Sequence, residues 1–579
     1  MRKTIILYLL LCLNQLIYGQ INKALFSNIN TYVPFENVIL KTNADVVFTG
    51  ENLYYKIYCL LDKTNTYSNI SKIAYVELVG VNSNIVFKHK LKLENGVSQG
   101  DFFIPSNVKT GQYKLLAYTN WTKNNSINSF YEQDIYIINP YSSKHQIPIK
   151  NTTDENEVVQ IELDEERIPN NSPNASVLIE TFNTTQKTRE KVTLNLVNNT
   201  KDNGNYSLSV RKVDKINIIN KNPNINNIQT KNEVFYIPEI RGELLSGRIE
   251  SLKKNVKVSD KTISLSIPDK NFIFKNVKTN SSGQFFFSIY ENYSKSNAII
   301  QVHAHNKEDY KILIDNPTFI DYSLLKFKPV SLSPKLENWI KKRSIDIQVE
   351  NAYFSSKTDS TLMNKVSPPF YNHADKTYIL DDYKRFPTLK ETFIEVIYAS
   401  SIKKEGDSFD FVVYDYENVD YNKNSNLTDQ HPLVLIDGIL IQDSNDIINY
   451  SSNKIRSISI VFGNYLYGSI VYNGILAFET IKGDFTINDK GEYIKNIELF
   501  KPLDKKYYYN PAYTTPQTLK RIPDYRSQLY WDPNVNLNKE YKILSFFTSD
   551  ILGIYEVRLE GFTEKGQYIM ETKYFNVVK

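Results

Sequence analysis

The residues with chemistry to offer are few and scattered. His303 and His305 alternate along one stretch, so in a strand their rings share a face and would hold a transition metal if a third ligand came near. An exposed polar strand face is the simpler expectation. Asp381 and Asp382 stand beside Arg385. Two carboxylates divide acid and base roles only in a cleft with unlike surroundings, and an ion pair anchoring a loop is the plainer reading. Cys59 sits in a Tyr- and Leu-rich run, which suits a buried small hydrophobe better than a reactive thiol. Gly463 and Gly468 have phosphate-loop spacing, but Ser469 and Ile470 follow where a lysine and a hydroxyl residue are needed. The chain has six histidines and carries no His-Glu-x-x-His and no dinucleotide glycine fingerprint. No cofactor, no metal and no enzymatic activity are expected.

Binding chemistry is better represented. The chain has 42 tyrosines, and Tyr and Trp dominate protein-binding hot spots. Tyr525, Arg526, Tyr530 and Trp531 form a dense segment of that kind, a candidate partner-binding surface. The same residues would equally serve to pack the seam between the α/β section over 318–485 and the last sandwich.

These residues must be positioned by an exported chain. Arg2 and Lys3 precede an apolar run from Ile5 to Leu13 and a small-residue exit at Tyr18-Gly19-Gln20, the pattern of a signal peptide over residues 1–19. Leu11 stands where a lipoprotein signal carries a small residue, so a lipid anchor on Cys12 is not expected. The apolar run is short of the roughly 20 residues a bilayer span needs, and no later segment supplies one. Cys59 is then the one cysteine left, which excludes an internal disulfide framework. The net charge of +5 is small for 579 residues and its charges are interspersed, which argues against nucleic acid as a partner.

A short pattern returns four times, at Gly111-Gln112-Tyr113, Gly204-Asn205-Tyr206, Gly283-Gln284-Phe285 and Gly553-Ile554-Tyr555. Apolar residues then fall on every second position, as in Tyr206, Leu208 and Val210, which marks strands with one buried face. Repeated at domain spacing, the pattern predicts tandem β-sandwich modules. Polar stretches at 142–157 and 215–231 separate them, giving modules over 21–145, 155–230 and 235–317. After Pro317 the character changes. Leu336, Trp339, Ile340 and Ile347 have helical spacing, and Thr388 with Glu391 forms a capping box before Leu389, Phe393, Val396 and Ile397. Asp437-Gly438 between two apolar runs predicts a two-residue hairpin, read as a turn and no more. Strands at Ile458 to Phe462 and Ile475 to Thr480 complete an α/β module over 318–485, and a C-terminal sandwich is expected over 486–579.

The first module resembles the macroglobulin domains of the bacterial alpha-2-macroglobulin family, through Phe48-Thr49-Gly50-Glu51, Leu78 to Gly80, Phe103-Ile104-Pro105 and Gly111-Gln112-Tyr113. The third, with Tyr236-Ile237-Pro238-Glu239-Ile240-Arg241-Gly242, looks like the carboxypeptidase-regulatory-like sandwich that links such modules or precedes outer-membrane receptors. The α/β section resembles the plug domain of TonB-dependent receptors, through Pro432 to Gly438, Ile455 to Val461, Tyr467-Gly468, Tyr472 to Ile475, and Thr480 with Lys482. Residues 380–387 and 523–533 look like segments of exported bacterial proteins that combine the two kinds of module. Only 96 residues follow Gly483, whereas a receptor barrel of this class takes roughly 22 strands, so a plug-like unit without its own barrel is expected. The reactive Cys-Gly-Glu-Gln thioester of a trapping macroglobulin is missing.

The resemblance implies a mainly β chain of immunoglobulin- or macroglobulin-like sandwiches plus a small α/β plug-like domain. It would be a periplasmic, outer-membrane-associated scaffold whose plug-like domain binds an outer-membrane β-barrel or a secretion pore such as the type IX translocon. The alternative is a surface-exposed protein that binds a glycan or peptide.

Overall fold

The computed structural model describes residues 33–579 apart from 125–129, 143–157, 165–175, 181, 201, 220–234, 316–319, 363–367, 407, 415–430, 488–490, 514–521 and 539–540. The expected signal peptide lies outside the described residues, as does most of both expected linkers. The chain is mainly β. No helix among the described residues is long and apolar enough to cross a membrane. Two compact units form, each from separated stretches of chain: Ile21–Ile240 with Phe319–Met363 and Pro502–Lys579, and Arg241–Thr318 with Asn364–Lys501.

The larger unit contains two sandwiches. In the first, a three-stranded sheet (Glu36–Thr42, Asn52–Leu61, Val97–Phe103) faces a five-stranded one whose centre is Gly111–Tyr118, between Ile73–Gly80 and Tyr131–Ile138. Leu53, Tyr55, Ile57 and Cys59 alternate inward and meet Val76, Leu78, Leu115 and Ile137 in one core. Burying such alternating rows, at about 25 cal/mol per Å² of apolar surface, drives the two sheets together. Tyr113 of the glycine-aromatic signature is buried there, its hydroxyl donating to the Lys109 carbonyl at 2.8 Å.

The second sandwich corrects the expected module map. Strand Gly204–Lys212 lies between Gln528–Leu537 and Gly553–Thr563, and Lys191–Asn198 pairs with Tyr541–Phe547. Strands from the segments expected as separate modules, 155–230 and 486–579, therefore build one sandwich, while Val159–Leu163 and Ile216–Ile219 pair with each other and with Val330–Leu332 in a sheet of their own. The reason is pairing: Gly204–Lys212 has an apolar face and two open edges, and among the described residues both its neighbours come from the last segment. Two of the glycine-aromatic strands meet directly, with Leu208 opposite Leu559 and Val210 opposite Val557. Residues 235–240 also differ from expectation. They lie on the first sandwich, where Asn124 exchanges two hydrogen bonds with Tyr236 and Lys72 N donates to the Glu239 carbonyl.

Helix Glu337–Ala352 forms where the 3.6-residue spacing places it, but in this unit and not with the α/β section. Leu336, Trp339, Ile340 and Ile347 pack on Phe48, Ile138, Val159 and Ile161, and Asn351 Nδ2 donates to the Gly50 carbonyl at 2.9 Å.

The smaller unit holds the third sandwich and the α/β sheet. Strand Ile494–Glu498, expected in the last module, instead extends the sandwich sheet beside Asn297–His303. The α/β sheet has five strands in the order Lys376–Ile379, Ile455–Tyr467, Ile470–Thr480, Leu433–Ile436, Ile439–Ile441. Helix Leu389–Glu395 covers it with Leu389 and Phe393, its start fixed by Thr388 Oγ1 accepting from Glu391 N at 3.2 Å. Asp437 and Gly438 turn the predicted hairpin at φ 50° and 81°. A Cβ on Gly438 would fall 2.1 Å from the Phe272 side chain, so both backbone and neighbour require glycine there.

Candidate functional site

The segment from Tyr525 to Trp531 is not an exposed anchor. Arg526 is buried, and its guanidinium donates to both Asp524 oxygens at 2.7 Å, to the Leu529 carbonyl at 2.7 Å and to that of Phe547 at 3.2 Å. Burial works against both charges, but their attraction outweighs it, holding Asp524 below and Arg526 above their ordinary pKa values. Trp531 is 6% exposed and stacks on Tyr54 of the first sandwich at 5.8 Å. Tyr530 lies half-buried on Phe546, and Tyr525 N donates to Glu350. The four residues tie together elements of one unit. The seam they fill runs to the first sandwich, which corrects the expected seam with the α/β section.

A second buried cluster was not singled out from the sequence. Glu51 of the Phe-Thr-Gly-Glu motif meets Arg343 of the helix at 2.7 Å and Arg211 of the second sandwich at 3.7 Å, and Arg343 also reaches Asp214 at 2.6 Å. Phe48 N donates to Glu51 at 3.0 Å. A signal existed: Arg343 falls on the Leu336, Ile340, Ile347 face, where a charge at a core position demands a partner.

The chemistry-bearing residues separate as follows. Arg385 donates to Asp381 and to the carbonyls of Ser452 and Ile455, pinning the loop to its strand. Cys59 is wholly buried, and burial pushes its thiol pKa well up. Asp437 does more than turn the chain. Its buried carboxylate accepts from Thr480 N at 2.8 Å, Thr480 Oγ1 at 2.6 Å and Phe485 N at 3.2 Å, fixing the end of the last strand. His303 stacks on Tyr472 with Nδ1 buried and without a hydrogen-bond partner, while His305 is exposed beyond the strand end. Among the described residues no group of three or more His, Cys, Asp or Glu is placed to hold a metal.

Burial, reinforced by Lys307 and His305, lowers the His303 pKa to about 4. The unfolded chain then binds a proton between pH 6.5 and 4 that the folded unit refuses, so stability present above pH 6.5 is lost as pH falls towards 4. The loss expected from this one group is about 2 kcal/mol. Denaturant midpoints of the parent and His303→Phe at pH 7 and pH 4.5 check it: the parent should lose more, and equal losses would refute it.

One sheet edge of the smaller unit is unpaired among the described residues. Strand Lys376–Ile379 is outermost in its sheet. Beside it Tyr383 and Tyr398 are 43% and 62% exposed, set around the buried Tyr378 ring at 6.1 and 5.6 Å. Lys376 lies over the Tyr378 and Tyr398 rings, and its hydrogen bond holds the Tyr398 phenol below its ordinary pKa. An exposed edge with aromatic flanks is a pairing template for another chain. The same unit has a polar cleft of about 410 Å³ lined by Lys270, Lys295, Arg456 and Lys482 with Asp269 and Glu479.

No family model and no curated protein matches the sequence. Among solved structures the chain is similar to Escherichia coli alpha-2-macroglobulin activated by porcine elastase, at 8% identity over 94% of this chain and 43% of that one, with a TM-score of 0.21. It is similar to Salmonella alpha-2-macroglobulin reacted with methylamine at 8% over 94% and 40%, TM-score 0.23, and to dimeric latent PorU from Porphyromonas gingivalis at 11% over 52% and 34%, TM-score 0.15. The chain spans about two fifths of the length of the macroglobulins it matches. With TM-scores this low the likenesses assign neither activity nor partner.

Proposed function

We propose that this chain is a non-enzymatic, exported scaffold that binds an outer-membrane β-barrel protein or secretion pore through the plug-like part of its smaller unit. The observation that carries the reading is the open edge at Lys376–Ile379 with Tyr383 and Tyr398 exposed beside it. The receptor-plug resemblance of Pro432 to Gly438 supplies the class of partner. Affinity isolation from mildly solubilised outer membranes should recover a stoichiometric barrel protein, and the Tyr383→Glu, Tyr398→Glu double variant should lose it. A bare preparation at moderate salt would sink the proposal.

The polar cleft favours a second reading, a surface-exposed protein that binds a glycan or peptide. Protease accessibility on intact cells separates the two: a periplasmic scaffold stays protected and a surface protein is cut.

A further inference from the structure

Lys56 is fully buried in strand Asn52–Leu61, on the face of the first sandwich that meets the second. Its Nζ contacts Asn205 Oδ1, donates to the carbonyls of Tyr206 (3.2 Å) and Pro533, and lies 4.9 Å from the Tyr58 ring centre. Every one of these partners is neutral, and among the described residues Lys56 has no ion pair. Fully buried lysines are ordinarily paired, because an isolated ammonium in a low-dielectric interior is costly. The alternative is to give up the proton. Burial, outweighing the attraction of Asp532, pushes the Lys56 pKa well below its usual value, and a neutral amine carries the lone pair that makes lysine a nucleophile.

That amine touches a carboxamide held from several sides. Asn205 N donates to Tyr67 Oη at 3.3 Å, and Asn205 Nδ2 donates to Asn536 Oδ1. The neighbouring strand pairings of Gly204–Lys212 on both sides fix its backbone. Two reacting groups held in contact, a buried amine and a half-buried carboxamide, gain the large effective concentration that makes slow intramolecular reactions proceed.

We propose that Lys56 and Asn205 form a covalent isopeptide cross-link between the two sandwiches of the larger unit. Nζ attacks Asn205 Cγ, the Cγ–Nδ2 bond breaks as the Cγ–Nζ bond forms, and one Nζ proton ends on the departing nitrogen, which leaves as ammonia. No oxidant, cofactor or second chain enters the balance. The product amide is neutral, as a buried site requires. It also supplies the covalent tie that a mature chain with one cysteine cannot obtain from a disulfide.

The test is mass spectrometry of the purified full chain, intact and after denaturation and trypsin. The parent is expected to be one ammonia lighter than its sequence. Trypsin should fail to cut after Lys56 and should release a branched peptide in which Thr42 to Lys63 is joined to Asp202 to Arg211. Lys56→Arg and Asn205→Ala should have their full sequence mass and no branched peptide. A parent of full mass that is cut normally after Lys56 overturns the proposal. So does an ammonia loss confined to a succinimide at Asn203-Gly204, which leaves cleavage after Lys56 intact. Both readings come from the parent alone, so a variant that fails to fold does not blunt the test.

Discussion

Glu51→Ala is expected to lower the stability of the larger unit by about 3–5 kcal/mol, the cost of leaving a buried charge without its partner. Glu51 shares both Arg343 and Arg211 with Asp214. Its removal leaves Arg343 with Asp214 alone and orphans the Phe48 amide. Burial raises the Glu51 pKa, but Arg343 and Arg211 override it, so the carboxyl stays below its ordinary value. Its contribution is therefore present above that value and lost as pH falls through the folded one. Denaturant titration of parent and variant at pH 7 measures the difference. A loss under about 1 kcal/mol, the scale of an exposed pair, would mean that water reaches Arg343.

Arg526→Ala should cost a similar amount, about 3–5 kcal/mol by the same reasoning. It strands the Asp524 carboxylate, 1% exposed, with Tyr513 and backbone as its remaining partners, and it frees the Leu529 and Phe547 carbonyls. The informative comparison is the double variant Asp524→Leu, Arg526→Met. Replacing a buried ion pair by apolar groups of similar volume is often neutral, so the double variant should recover most of the loss. If it is no better than Arg526→Ala, the carbonyl contacts and not the charge pair hold this segment. Partner capture through the smaller unit should be unchanged in both, since Arg526 belongs to the larger unit.

Local structure was legible wherever one residue type has one physical use. The Asp437-Gly438 hairpin, the Thr388 cap and the helix through Leu336 and Ile347 follow from positive φ, an orphan amide and a 3.6-residue period. Domain membership was not legible, because a strand with one apolar face shows that it needs neighbours and does not say which. Gly204–Lys212 finds its neighbours beyond residue 527, and no periodicity encodes that pairing. The aromatic-rich run at 525–531 misled for a related reason: Tyr, Trp and Arg are what a binding hot spot uses and also what an internal seam uses. Lys56, flanked by Tyr55 and Ile57 in an apolar strand, was the overlooked signal.

The interleaving of the larger unit has a consequence for how the chain is made. Strand Gly204–Lys212 is central in its sheet, yet both its neighbours come more than 300 residues later. A chain that emerges N-terminus first can complete the first sandwich early, but the second must wait, half-built and with open edges, until the last strand has emerged. Contacts of such sequence separation form slowly and leave edges exposed in the meantime. A chaperone that shields those edges is thus part of what this architecture demands, and a chain truncated before Gln528 should be cleared as unfolded however sound its earlier modules are.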